Sequence, residues 1–556
     1  MNEANNPVRD SLLMSPEIIE AGEKLIGLSF TADERLAMIN LMRQRLSQYE
    51  SLRAALLDNA LSPAFRFDPR LLTAQSSDAY PRVYPTFTAA EAELPAQIED
   101  VAFYSVTQLA HLIRTRQITS RQLTEIYLER LRRYSPRLEC TITITADRAL
   151  EAARRADEEI ASGYYRSPLH GIPWGAKDLI AARGYPTTWG TLPYRDQQFD
   201  YDATVVQRLE AAGAVLVAKL VTGELAHGDV WFGGKTKNPW NLAEGSGGSS
   251  AGPASATAAG LVGFALGTET TGSVVWPALR CGMVGLRPTF GRVSRHGVMV
   301  LSWTLDKVGT VTRTVEDSQL VMTAIYGPDG QDPFALDEPL DWNADLSRLR
   351  IGYVKSAFES KASPEAYDHS TVSALHKMGV DLREHRGNDL RTLETLRSLG
   401  MELIPLELPE FDLDALLIIM SAEGAAAFDE LTRTDRDDLM VSQGETMPPN
   451  QFRQARFIPA VEYIQASRIR YQLMQAMADV MAQVDVLIVP QLAGNNLSLT
   501  NLTGQPTIGV PNGFTDAGMP TGINFVGRVC GEAELLAVAA AYQNATFSNR
   551  HPTLDA

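Results

Sequence analysis

The sequence predicts an α/β protein, a sheet covered by helices on both faces, preceded by a helical arm. Three observations predict it. From Ser105 onward, helical stretches alternate with short apolar runs of strand length. Amphipathic helices are expected at Val106–Arg116 and Ser120–Tyr134, leading through an extended Cys140–Ile144 to a helix at Ala146–Ser162. Helix–strand units then recur: 203–212 before 214–219, and 460–483 before 485–489, with late strands at 507–510 and 522–526 and a final helix at 532–546. The first hundred residues differ from this pattern. Ser15-Pro16-Glu17 reads as a helix start with Ser15 at the N-cap. Thr31-Ala-Asp-Glu34 reads as a capping box ahead of Leu36, Ile39, Met42, Leu46 and Tyr49 at helical spacing. Ser62 to about Glu99 is rich in proline and aromatics and reads as an extended linker. The expected division is therefore an arm and linker over 1–99 and a catalytic domain over 100–556. No internal repeat is visible.

Composition narrows the function. The chain has 556 residues, 45% hydrophobic and 21% charged, an ordinary globular balance. A formal charge of −17 argues against a nucleic-acid binder working through a broad basic face. Cys140, Cys281 and Cys530 are widely spaced and suggest neither a disulfide framework nor a thiolate zinc site, which suits a reducing compartment. Met1–Asp10 lacks the order of a signal peptide, and no apolar run reaches 18 residues. A cytoplasmic protein with no membrane span is expected.

The chemistry centres on glycine- and serine-rich segments. Gly245–Gly252 (GSGGSSAG) precedes an alanine-rich stretch. Its glycine spacing fits neither the dinucleotide nor the P-loop template, and no Lys-Ser/Thr follows Gly252. Gly248-Ser-Ser250-Ala-Gly252 also matches a nucleophile elbow, but that motif needs an apolar strand before it, and Lys237–Glu244 reads as a loop. The downstream histidines His296, His369, His376 and His385 sit in no triad context. A third reading needs no histidine. Leu261–Leu266 reads as a buried strand ending at Gly267-Thr-Glu-Thr-Thr-Gly-Ser273, which puts Ser273 on a loop where backbone N–H groups converge, as an oxyanion requires. Upstream, Leu169–Asp178 places Lys177 at the end of a glycine-rich turn. Singly, such a lysine or serine is an ordinary surface or turn residue.

Together, these segments resemble the amidase signature family, whose relatives include fatty acid amide hydrolase and the catalytic component of the tRNA-dependent amidotransferase. The resemblance runs from about Ser105 to Pro552. It is densest over Gly245–Asp317, where Gly-Gly-Ser249-Ser250-x-Gly, Gly-Leu-Arg-Pro-Thr, Gly-Arg-Val-Ser-Arg and Leu-Asp306-x-Val-Gly occur in family order, flanked by Gly-Ile-Pro-x-x-x-Lys177-Asp178 and Asn501-Leu-Thr-Gly-Gln-Pro506. It implies a large, mixed, twisted sheet and a Ser-cisSer-Lys triad: Ser273 the nucleophile, Ser249 the bridge after a cis bond from Gly248, Lys177 the base. The N–H groups of Thr270, Thr271, Gly272 and Ser273 are expected to hold the oxyanion. Lys177 must then be buried away from carboxylates, so the Asp178 side chain must point elsewhere.

The sequence departs from the family's common Gly-Gly-Ser-Ile-Arg at Thr271-Gly-Ser273-Val-Val275, where Val275 removes a cation for which Arg280 is a candidate replacement. Trp231 and Phe232 fall where the family builds part of its substrate pocket, and an aromatic-lined site for an apolar or aryl group is expected there. The reading is an amidase acting on a small-molecule amide, with esters and carbamates in reach of the same chemistry. No cofactor, metal or nucleic acid is expected, and the partner allowed for is a second copy of the chain. The alternatives are the catalytic component of a tRNA-dependent amidotransferase, or a non-catalytic binding protein of the same fold.

Overall fold

The computed structural model describes residues 14–65, 82–85, 92–359, 382–493, 495–546, 548 and 550–554. Met1–Asp10, much of the expected linker, His369 and His376 lie outside these residues. The described chain divides into two compact units: residues up to 65 join Val300–Trp303 and Glu410–Leu473 in the first, and the remainder form the second.

In the first unit, α1 (Pro16–Ile26) begins at the expected proline, although the Ser15 side chain makes no capping bond, and Gly27 closes it at φ 68°. The capping box opens α2 (Ala32–Ala54) as expected: Glu34 N–H donates to Thr31 Oγ1 at 3.3 Å, and Thr31 N–H donates to Glu34 Oε2 at 2.6 Å. The buried stripe of α2 is rotated from the expected one. Met38, Met42, Arg45, Tyr49 and Leu52 are buried, whereas Leu36 and Leu46 are exposed. Polar contacts select this face: Arg45 Nε donates to Gln454 Oε1 at 3.1 Å, Arg53 Nε to Glu462 Oε1 at 2.8 Å, and Tyr49 Oη to the Phe457 carbonyl at 3.2 Å.

The second unit carries an eleven-stranded mixed sheet. Its strands are β1 (Thr141–Ile144), β2 (Pro173–Lys177), β3 (Val215–Leu220), β4 (Phe264–Glu269), β5 (Val284–Arg287), β6 (Lys307–Thr312), β7 (Ile351–Val354), β8 (Leu403–Leu406), β9 (Val486–Pro490), β10 (Thr507–Phe514) and β11 (Pro520–Gly527). Their order is β1-β3-β2-β4-β6-β5-β10-β11-β9-β7-β8. The β3–β2–β4 and β9–β7–β8 groups are parallel, and the strands between them pair antiparallel. Alternating residues of β4 enter separate cores: Phe264 and Leu266 pack with Ile508, Phe525 and Leu535, while Ala265 packs with Leu128, Ala254 and Ala278. Both faces are thus covered, as period-two side chains on an α/β sheet require.

Two expectations are corrected. The strand read at Leu261–Leu266 lies at Phe264–Glu269, because Gly260 at φ 67° closes the preceding helix and Gly263 still belongs to the turn, where an added Cβ would sit 2.8 Å from the Pro173 carbonyl oxygen. Lys237–Glu244 is no plain loop: Lys237–Asn238 and Asn241–Gly245 pair as a short antiparallel hairpin. That hairpin lies outside the main sheet, so no sheet strand feeds Ser250 in the way an elbow needs.

Candidate active site

Lys177 ends β2 and is fully buried between β3 and β4. Its Nζ lies 2.8 Å from Ser249 Oγ and donates to Thr268 Oγ1 at 2.9 Å and to the Thr268 carbonyl at 3.3 Å. Burial pulls the ammonium down to about 7, against the opposing fields of Asp306 and Glu269. The Gly248–Ser249 peptide is cis. Gly248 is needed there, since an added Cβ would fall 1.8 Å from the Gly228 carbonyl oxygen. Ser249 is buried just ahead of α3 (Ala251–Ala258). Ser250, the elbow serine, spends its hydroxyl on β4, donating to the Thr268 carbonyl at 3.1 Å and accepting from Thr268 N–H at 3.3 Å.

Ser273 lies between the end of β4 and α4 (Val275–Arg280), and its carbonyl accepts from Ser250 N–H at 3.0 Å. Among the described residues its hydroxyl makes no hydrogen bond, so the structure joins Lys177 to Ser249 and leaves Ser249 Oγ to Ser273 Oγ unlinked. Thr271 avoids positive φ; Gly272 takes it, at 118°. The N–H groups of Val274 and Val275 donate to Glu269 Oε2 at 2.8 and 3.0 Å. Those of Thr271, Gly272 and Ser273 donate to no protein acceptor among the described residues. Thr270 is tied instead through its side chain, donating to Asp306 Oδ1 at 2.6 Å.

Sequence reasoning missed the support of this loop. Glu269 is fully buried; burial raises its carboxyl, but Arg287, the Val275 and Val274 N–H groups and Asn501 outweigh it and hold the group below its usual range. Arg287 Nη1 and Asn501 Nδ2 each donate to Glu269 Oε1 at 2.8 Å. Removing one member of a buried pair strands the other charge, a loss of about 3–5 kcal/mol. Glu269→Ala should therefore lower the urea midpoint markedly, and an unchanged midpoint would show that this carboxylate does not hold the loop.

Arg280 does not stand in for the missing cation at Val275. It is paired with Glu244 Oε2 at 2.5 Å and donates to the Gly245 carbonyl at 3.1 Å. Trp231 and Phe232 are half-buried, with ring centroids 4.8 Å apart in an edge-to-face arrangement, and Phe232 N–H donates to the Gly190 carbonyl at 3.2 Å. His296 lies against the Tyr201 ring at 5.7 Å.

The arrangement defines a class, a serine-type hydrolase with a buried amine in place of histidine. The family model described as Amidase matches residues 122–536, and the chain belongs to that family, whose members hydrolyse carbon–nitrogen bonds. Putative amidase AmiD of Mycobacterium tuberculosis (strain ATCC 25618 / H37Rv) is 34% identical over 492 residues, 84% of this chain and 99% of that protein. The glutamyl-tRNA(Gln) amidotransferase catalytic component of Chloroflexus aggregans is also 34% identical, covering 81% of this chain and 98% of its own length. The native peptide amidase of Stenotrophomonas maltophilia superposes with a TM-score of 0.69 at 28% identity, over 82% of this chain and all of its own. The protein is thus a carbon–nitrogen hydrolase built on an amidase sheet. Among the described residues no helix is long and apolar enough to cross a membrane.

Proposed function

We propose that the enzyme cleaves amides through an acyl-enzyme on Ser273, with Ser249 relaying protons to Lys177. The observation that carries this reading is the fully buried Lys177 amine, 2.8 Å from Ser249 Oγ and lowered to about 7. A neutral amine has two N–H bonds and one lone pair. The N–H bonds serve the two Thr268 oxygens, and the lone pair is left for the Ser249 hydroxyl. The Ser273 hydroxyl passes its proton to Ser249 as its oxygen attacks the carbonyl carbon, and Ser249 passes its own proton to Lys177. The N–H groups of Thr271, Gly272 and Ser273 face the oxyanion, since those of Val274 and Val275 are occupied by Glu269. The relay then protonates the leaving nitrogen as the C–N bond breaks, and water releases the acid.

Esters and carbamates offer the same carbonyl and belong in the substrate range, and Trp231 and Phe232 favour an apolar or aryl group. The three free cysteines fit a cytoplasmic setting. A second reading, the catalytic component of a tRNA-dependent amidotransferase, draws on the 34% identity to such a protein. Assaying the purified chain alone on aliphatic, aryl and peptide C-terminal amides separates the two: turnover without partners supports the hydrolase, and activity only with added partner proteins and glutamine supports the transferase. EDTA should leave activity unchanged, because every group in the proposed cycle is an amine, a hydroxyl or a backbone N–H; loss on chelation, restored by zinc, would contradict the cycle.

A further inference from the structure

The base is followed directly in sequence by a buried carboxylate, Asp178, and a fixed negative charge so close would hold an ammonium protonated. Strand alternation sends the two side chains to different partners. Lys177 reaches Ser249 and Thr268, whereas Asp178 Oδ2 accepts from Thr188 N–H at 2.7 Å and Thr188 Oγ1 at 2.6 Å. The other oxygen, Asp178 Oδ1, lies 2.6 Å from Lys219 Nζ, and both side chains of this pair are fully buried. Lys219 is on β3, which runs parallel beside β2. The register there shifts by one residue: Leu216 lies opposite Trp174 but Ala218 opposite Gly175, so Val217 is skipped and Lys219 falls opposite Ala176. Without that shift Lys219 would share the face of Val217, away from Asp178. Its remaining donors reach Thr187 Oγ1 at 2.8 Å and the Pro186 carbonyl at 3.2 Å.

We infer that Lys219 is a positioning residue for the proposed base, neutralising Asp178 so that Lys177 can stand uncharged beside Ser249. The inference rests on the reading of Lys177 as the base. The other charges around Lys177 come from β4 and the start of β6: Glu269, which carries Arg287 at 2.8 Å, Asp306, which accepts from Thr270 Oγ1 at 2.6 Å, and Lys307, in register with Glu269. Helix α3 brings no titratable side chain. On the side of the pair, Asp202 also acts on Lys219 and is itself held by Arg148 at 2.8 Å. None of these replaces Lys219 as the direct partner of Asp178.

The test needs no natural substrate. The rate at which a fluorophosphonate modifies the full-length protein is measured against pH for wild type, Lys219→Met, Asp178→Asn, the double variant and Lys177→Ala. Lys219→Met leaves an anion near the base and should move the acid limb of the profile upward. Asp178→Asn leaves a cation and should move it downward. Each shift is about one pH unit, the size expected from a unit charge about 10 Å away at an effective dielectric constant near 20. The double variant should return the limb to the wild-type position, because the net charge of the pair is again zero. A purely structural pair would lower stability without moving the limb in opposite directions. Where Lys219→Met fails to fold, Asp178→Asn against the double variant still decides, since the single variant must show the lower limb. Coincident limbs overturn the inference while leaving the base intact. A Lys177→Ala protein that is modified as fast as wild type, limb included, overturns the base assignment itself.

Discussion

Lys177→Ala should lower the turnover number by several orders of magnitude and remove the acid limb of the pH profile. The argument is one of protonation state. A lysine at its ordinary value of about 10.4 is almost wholly charged at neutral pH and cannot accept a proton. Lowering it to about 7 corresponds to roughly 4–5 kcal/mol of differential destabilisation of the ammonium, and full burial between β3 and β4 supplies it. Below that value Lys177 is protonated and the relay stops; above it the amine is free. Wild-type activity should therefore rise from acid through neutral pH. Without the amine, the two serines have no base of matching strength, and His296, lying against Tyr201, offers no substitute. Were Lys177 an incidental charge, alanine would change little. Turnover against pH for both proteins decides: near-normal activity in the variant, with the limb retained, would exclude Lys177.

Ser273→Ala should abolish turnover and fluorophosphonate labelling while leaving the thermal unfolding transition near its wild-type position. The stability expectation follows from the environment: the hydroxyl is partly exposed and makes no hydrogen bond among the described residues, so its loss strands no buried partner. The contrast with Ser250 is sharp. Its hydroxyl is fully buried and both donates to and accepts from Thr268, so Ser250→Ala should destabilise the protein without removing the reactive group. Labelling that survives at Ser273→Ala and vanishes at Ser250→Ala would restore the elbow reading.

The α/β architecture was legible because its signals are local. Thr31 and Glu34 announce their helix through a capping box contained in four residues, and the final helix at Glu532–Thr546 follows its pattern to both ends. Where local signals compete, reading falters. The apolar run at Leu261–Leu266 suggests a strand, but Gly260 and Gly263 turn its first half, and the strand continues through the more polar Gly267-Thr-Glu269. On α2 the apolar stripe suggests one face, and the polar contacts of Arg45 and Arg53 select another.

The candidate site divides the same way. Lys177, Ser249 and Ser273 sit in recognisable short segments, so resemblance finds them. Their support does not. Thr268 beside the base, Glu269 with Arg287 and Asn501, and Lys219 with Asp178 are contacts across neighbouring strands and elements. Two of them depend on where β3 and β4 start and on a one-residue register shift, which no spacing in the sequence reveals.

The central claim is that Ser273 carries the acyl group, and mapping that group tests it most directly. A slowly turned-over ester or amide is mixed with the enzyme, the reaction is quenched in acid, and the acylated peptide is located by mass spectrometry. The account predicts an acyl adduct on Ser273 that builds up in the wild type, is missing from Ser273→Ala, and accumulates far more slowly in Lys177→Ala. An adduct on Ser250, or turnover with no covalent intermediate at any quench time, would contradict it.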